Sequence, residues 1–354
     1  NGNGTTGEGL YVPCDHFSVA DFSLYDLAED FQNHGGKLLC LDEIHRREGW
    51  AEIVKSIVDT FPDLKLVCSG SSAIELEKSS HDLSRRMITR ELYGLSFREY
   101  LGFSLNLKFS AISLQDILTK HLNLAQEIVK HFAKHDQKIL HAFKQYLTVG
   151  YYPYHLDYPT YDDFAITLQQ NVDRTLEGDL LSAYPRLSGV SIRKLRKLLS
   201  IISRSAPFTP NFRKLGAMIE VGDERTLKDY FFYLQKGRLI RLLSASGSLS
   251  TEMTKPEKIL LDNTCLAYGL STDSSAEIGS IREIFFLSSV AVANKVTSSQ
   301  IGDFEVNGRY LFEIGGRKKN FKQIKDQLDS YLAVDELEIG HGSRIPLWLF
   351  GFLY

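Results

Sequence analysis

Uninterrupted apolar runs and helix-spaced apolar positions take turns along the chain. Leu38, Leu39, Cys40 and Leu41 run without a polar break into Asp42 and Glu43, which predicts a buried parallel strand carrying two carboxylates at its C-terminal edge. Before it, Leu10 to Val12 reads as a short strand. Ser23 to His34 reads as a helix capped by Asp21 or Ser23 and stopped at Gly35-Gly36. After it come a helical stretch from Trp50 to Phe61 and a turn at Pro62-Asp63. A second apolar run, Leu64 to Cys68, then ends in Ser69-Gly70-Ser71-Ser72.

Downstream the spacing becomes helical. Leu118, Leu122, Ala125, Ile128, Val129 and Phe132 form an amphipathic stripe within Leu114 to Leu147. A long helix follows from Asp162 to about Leu181, closed by Pro185. Helices are then expected at Ile192 to Ile202, Asn211 to Ile219 and Glu224 to Lys236, before an apolar run from Leu239 to Leu243 and a polar tip from Ser244 to Ser250. That order describes a winged helix-turn-helix. The last hundred residues predict a strand at Lys258 to Asp262, a helix at Ile281 to Lys295, and strands Ile301 to Val306 and Arg309 to Ile314. Asn307-Gly308 joins those two strands as a two-residue hairpin. A helix from Phe321 to Leu332 and a terminal strand from Pro346 to Tyr354 complete the pattern.

A chain of 354 residues with 43% hydrophobic content suffices for two or three cores. The net charge of −3 gives no global field toward nucleic acid, so any such contact must rest on local patches. Cys14, Cys40, Cys68 and Cys265 form no C-x-x-C pair and read as reduced core residues. No run has the length of a membrane span and no basic-then-apolar leader opens the chain, so a cytoplasmic protein without membrane partners is expected.

The chemistry concentrates at the strand edge. An Asp at position 42 can hold Mg²⁺ against nucleotide phosphates, and Glu43 can polarise the attacking water, the Walker B arrangement. Ser69 and Ser71 supply short hydroxyl donors on the neighbouring strand, as a γ-phosphate sensor requires. Gly2, Gly4 and Gly7 have dinucleotide-fingerprint spacing but lack the strand and helix that give it meaning. No G-x-x-x-x-G-K-[ST] sequence occurs in these residues. Either the first strand, phosphate loop and helix lie outside the sequence, or the protein is a relic that no longer hydrolyses nucleotide; retention of both carboxylates and the serines favours the former.

The stretches LDEIH, SGSS, Leu83-Ser84-Arg85-Arg86 and Leu95 to Leu101 (LSFREYL) resemble a family of bacterial and archaeal AAA-type P-loop ATPases with a C-terminal winged helix and a restriction-endonuclease-like domain. The resemblance implies an α/β fold: an incomplete P-loop NTPase parallel sheet (1–103), a helical lid (104–187), a winged helix (188–252) and an α/β nuclease-like domain (253–354). It implies ATP and Mg²⁺ as cofactors, with Glu43 catalytic and Arg85 and Arg86 as γ-phosphate contacts in the same or a neighbouring subunit. In the nuclease-like domain it implies a metal site from Glu283, Asp303 and Glu313. The lysine expected two residues after Glu313 is Gly315, with Lys318 as a nearby substitute, so an inactive or altered nuclease is expected.

Three functions compete. The first is an ATPase whose nucleotide state moves the C-terminal domains. The second is a DNA-binding or DNA-cleaving protein, although the exposed face carrying Arg225, Lys228 and Lys236 also carries Asp229 and Phe232. The third is a non-catalytic scaffold that binds another protein or itself. The aromatic turn Gly150 to Tyr154 reads as packing.

Overall fold

The computed structural model describes residues 8–70, 83, 85–205, 207, 209–246, 256–270, 277–320, 323–325 and 327–354. The chain divides into two compact units, residues 1–92 with 179–185, and residues 93–178 with 186–354.

In the first unit the strands β1 (Gly9–Pro13), β2 (Leu38–Asp42) and β3 (Lys65–Cys68) form a three-stranded sheet, all parallel, with β2 central. The helices α1 (Leu24–Asn33) and α2 (Trp50–Thr60) return the chain between them. Ser23 caps α1 by accepting from the Asp26 N–H. Leu24 and Ala28 of α1 and Val54 and Ile57 of α2 join Leu39 and Leu41 in one core. The continuous apolar run predicts burial on both faces of β2, and here the structure differs. Leu38 is 37% exposed, and Tyr11 and Val67 on the neighbouring strands are 63% and 53% exposed. Among the described residues, α1 and α2 cover one face of this sheet only.

The second unit opens with α3 (Phe97–Leu105), whose start is a complete capping box. The Ser96 hydroxyl accepts from the Glu99 N–H at 3.2 Å, and the Glu99 carboxylate accepts from the Ser96 N–H at 3.0 Å. Ser96→Ala is expected to lower the stability of this unit by about 1–2 kcal/mol, measured by chemical denaturation. Then come α4 (Leu114–Lys134), α5 (Ile139–Gln145), a π-helical turn at Tyr146–Gly150, and α6 (Tyr161–Arg174). A side chain at Gly150 would meet the Tyr146 ring at 2.4 Å, so the turn demands glycine. The buried Tyr151 packs behind it, in keeping with a packing role for this segment.

Next, α7 (Gly189–Ser205), α8 (Phe212–Met218) and α9 (Glu224–Lys236) precede β4 (Ile240–Leu243). Each helix buries its apolar stripe. The partner of β4 is β5 (Lys258–Leu261), antiparallel. The segment after α10 (Thr264–Gly269) leads to α11 (Ile278–Val290).

A five-stranded sheet closes the unit in the order β10-β9-β8-β7-β6. Its strands are β6 (Val296–Ser298), β7 (Phe304–Val306), β8 (Tyr310–Gly315), β9 (Ser330–Val334) and β10 (Arg344–Pro346). The β7–β8 hairpin turns on Asn307 and Gly308, both with positive φ (56° and 65°), as the Asn-Gly pair predicts. Phe286 of α11 packs on Phe312 of β8 and on Phe350, at 4.9 Å to each ring.

Three expectations are corrected. The helix at 281–295 ends at Val290. The stretch expected as a helix through Leu332 is already strand from Ser330. Residues 346–354 are not a strand: Leu347–Phe352 form a 3-10 helix, fully buried along its length. No helix among the described residues is long and apolar enough to cross a membrane.

Candidate functional site

Asp42 ends the central strand of the N-terminal sheet. Parallel register sets Tyr11 beside Cys40, on the face that Asp42 shares, and carries Ser69 opposite Asp42, one residue beyond the Leu41–Cys68 pair. The Tyr11 hydroxyl accordingly donates to one oxygen of Asp42 and the Ser69 hydroxyl to the other. These two bonds, Ser69 foremost, hold the Asp42 carboxyl below its ordinary pKa. It is therefore ionised, and each oxygen keeps lone-pair capacity for a cation or its water.

The loop after Asp42 is fixed from three sides. The Ser69 N–H donates to Leu41 and the Ile44 N–H to Ser69, tying the ends of β2 and β3 together at 2.9 and 3.0 Å. The Arg47 guanidinium donates to the carbonyls of Ala20 and Phe22. Glu43 sits in the left-handed region (φ 52°, ψ 37°), a strain of roughly 1–2 kcal/mol for a residue with a side chain. Its carboxylate stays partly accessible and lies 3.4 Å from Nδ1 of the buried His45.

Of the remaining residues expected here, Ser71 lies outside the described residues. Arg85 is exposed. Arg86 is held by Asp59 in a two-point ion pair at 2.6 and 2.9 Å. Asp59 is in the last turn of α2, and α2 runs antiparallel to the strands, so this pair sits at the edge of the sheet away from Asp42. The structure brings Asp42, Glu43 and Ser69 together and leaves Arg86 apart from them. Tyr11, His45 and Arg47 carry no periodicity signal and were not anticipated.

A second cluster forms in the other unit. Glu283 of α11, Asp303 before β7 and Glu313 of β8 converge around two lysines. Lys258 of β5 is in ion-pair contact with Glu283 and lies 3.8 Å from Asp303; its ammonium also lies 4.6 Å from the centre of the Phe304 ring. Lys319 reaches Glu313 at 2.5 Å. Asp303 accepts from the Ile314 N–H at 2.7 Å, which locks it to β8. Burial, then the nearby Asp303 charge, push Glu283 up to about 7 against the pull of Lys258. Burial also raises Glu313, against Lys319. The expected substitute, Lys318, is exposed. A side chain at Gly315 would fall 2.5 Å from the Lys319 stem, so the absence of a lysine at 315 makes room for Lys319.

Residues 4–101 match the profile of an AAA domain. This stretch contains Asp42, Glu43 and Ser69. Residues 140–277 match a domain of unknown function (DUF8612). The chain is similar to the uncharacterized protein MJ1637 of Methanocaldococcus jannaschii, 25% identical over 261 residues. That alignment covers 71% of this chain and 53% of the relative, so the chain spans about half the relative's length. No solved structure matches.

Proposed function

We propose that this protein is an ATP-hydrolysing AAA-type ATPase in which Asp42 supports Mg²⁺ and Glu43 activates the attacking water. The observation that carries the reading is the Asp42–Glu43 pair at the C-terminal edge of the central parallel strand, ionised at Asp42 and anchored by Ser69, within a stretch that matches an AAA domain. That edge is where open α/β sheets bind ligands. Asp42 fits Mg²⁺, because its low pKa keeps it charged and its two hydroxyl partners fix its direction. When bound, Mg²⁺ would neutralise phosphate charge. Ser69, through its bond to Asp42, keeps that carboxylate aligned. Glu43, partly open, holds a proton-accepting oxygen at the same edge.

The segments 104–187, 188–252 and 253–354 are proposed as lid, winged helix and nuclease-like domain, whose arrangement the nucleotide state would change. Because the reading requires a phosphate-binding loop at the same edge, its test uses the protein at its full natural length. ATP binding and hydrolysis are compared with those of the Glu43→Gln variant.

Convergence of Glu283, Asp303 and Glu313 supports a second reading, a nucleic-acid-binding or nucleic-acid-cleaving unit. The cluster does not fit a resident Mg²⁺. Ammonium groups engage its carboxylates, and among the described residues no group of three or more His, Cys, Asp or Glu is set to hold a metal. If the reading holds, DNA or RNA cleavage is lost in Asp303→Ala and Glu313→Ala; absence of cleavage of any duplex or single-stranded form ends the cleaving role.

A further inference from the structure

We infer that His45 is the positioning residue for Glu43, holding its carboxylate in the orientation that water activation needs; the inference rests on the ATPase reading above. The His45 side chain is 1% exposed, and neither ring nitrogen has a hydrogen-bond partner among the described residues. Burying an imidazole without partners is costly, about 1–3 kcal/mol for an unsatisfied polar group. The Glu43 carboxylate lies 3.4 Å from Nδ1, just beyond the usual hydrogen-bond length.

The backbone enforces this proximity. The left-handed turn at Glu43 starts a single 3-10 turn, Ile44–Arg46, closed by the Arg46 N–H donating to the Glu43 carbonyl at 3.0 Å. Residue 45 is thereby folded back toward residue 43. The tether of Arg47 to Ala20 and Phe22 stops the turn from unwinding.

Such a pair has a chemical use. A carboxylate that takes a proton from water must keep one oxygen directed at that water. A buried N–H on the other oxygen fixes the rotamer without blocking the reacting one. Hydrogen bonds of this kind are commonly long before substrate binds and shorten in the complex. A neutral imidazole carrying its proton on Nδ1 suffices. His45 touches neither substrate nor reacting atoms, and its role is orientation.

The test is steady-state ATP hydrolysis by the full-length protein, its His45→Leu and His45→Asn variants, Glu43→Gln, and the double variant Glu43→Gln/His45→Leu. Thermal midpoints are measured for each. His45→Leu is expected to lower kcat about 10- to 100-fold, the loss typical of orienting partners. KM for ATP should stay within about two-fold, since ground-state binding is untouched. Asn places an N–H where Nδ1–H stands, so His45→Asn is expected to recover most of the loss. Adding His45→Leu to Glu43→Gln should cost little more, because both act through one group.

Wild-type kcat in His45→Leu would overturn the inference while leaving the ATPase reading in place. So would equal losses in the Leu and Asn variants that track lowered thermal midpoints, which mark a packing role. If the wild-type protein does not hydrolyse ATP, or Glu43→Gln does not slow it, the ATPase reading falls and the inference with it.

Discussion

Replacing Glu43 by glutamine is expected to slow ATP hydrolysis by the full-length protein at least about 100-fold, the usual contribution of a positioned general base, while ATP still binds. Glutamine keeps the shape of glutamate but gives up the oxygen that accepts the proton of water. The Ile44 to Ser69 bond and the Arg47 tethers, which anchor the loop, do not involve the Glu43 carboxylate. Asp42 keeps both hydroxyl partners, so the cation-holding group is unaltered. The loss should therefore appear in kcat and not in affinity. Binding by equilibrium titration and turnover by phosphate release separate the two. Turnover in the variant equal to wild type would remove Glu43 from the chemistry.

Much of this site was legible because it is local. One apolar run, one pair of acidic residues and one serine-tipped neighbour give β2, β3, Asp42, Glu43 and Ser69, and parallel register does the rest. Tyr11 was not legible, because its approach to Asp42 depends on how β1 aligns with β2. The partner of Arg86 was not legible for a similar reason. Position after the sensor strand says nothing about which edge of the sheet a side chain reaches, and in the fold Arg86 pairs with Asp59.

The C-terminal half repeats the lesson at longer range. Glu283, Asp303 and Glu313 were anticipated through a family resemblance, whereas Lys258 and Lys319 emerge only from the packing. Lys258 belongs to a strand that pairs with β4, far in sequence from the carboxylates it meets. The errors near the C-terminus have a single cause. Leu347–Phe352 is buried on every side and Ser330–Val334 almost so, so neither displays a polar face from which to tell strand from helix.

Lys258→Met is expected to destabilise the C-terminal unit by about 3–5 kcal/mol near pH 8, the usual consequence of removing one partner from a buried ion pair. Methionine retains the stem packed on Phe304 but leaves Glu283 and Asp303 without their shared cation. The effect depends on pH in a direction fixed by Glu283. Its ordinary value of 4.5 is raised to about 7 in the fold. Between these values the folded state holds a proton that the unfolded state has released. The associated stability, on the order of 3 kcal/mol, is complete below about 4.5 and is lost as pH rises through about 7. The wild-type unit should thus be more stable at pH 5 than at pH 8. Glu313, also raised, adds to the same slope. In Lys258→Met the two carboxylates lose the cation that contacts both and keep only the field of Lys319, so the decline becomes steeper and extends to higher pH; a second change, Glu283→Gln, should restore much of the loss. Urea unfolding followed by Trp348, buried in this unit, in a Trp50→Phe background isolates the signal. A slope unchanged by Glu283→Gln in the otherwise wild-type chain would show that the cluster's charge balance does not rest on Glu283.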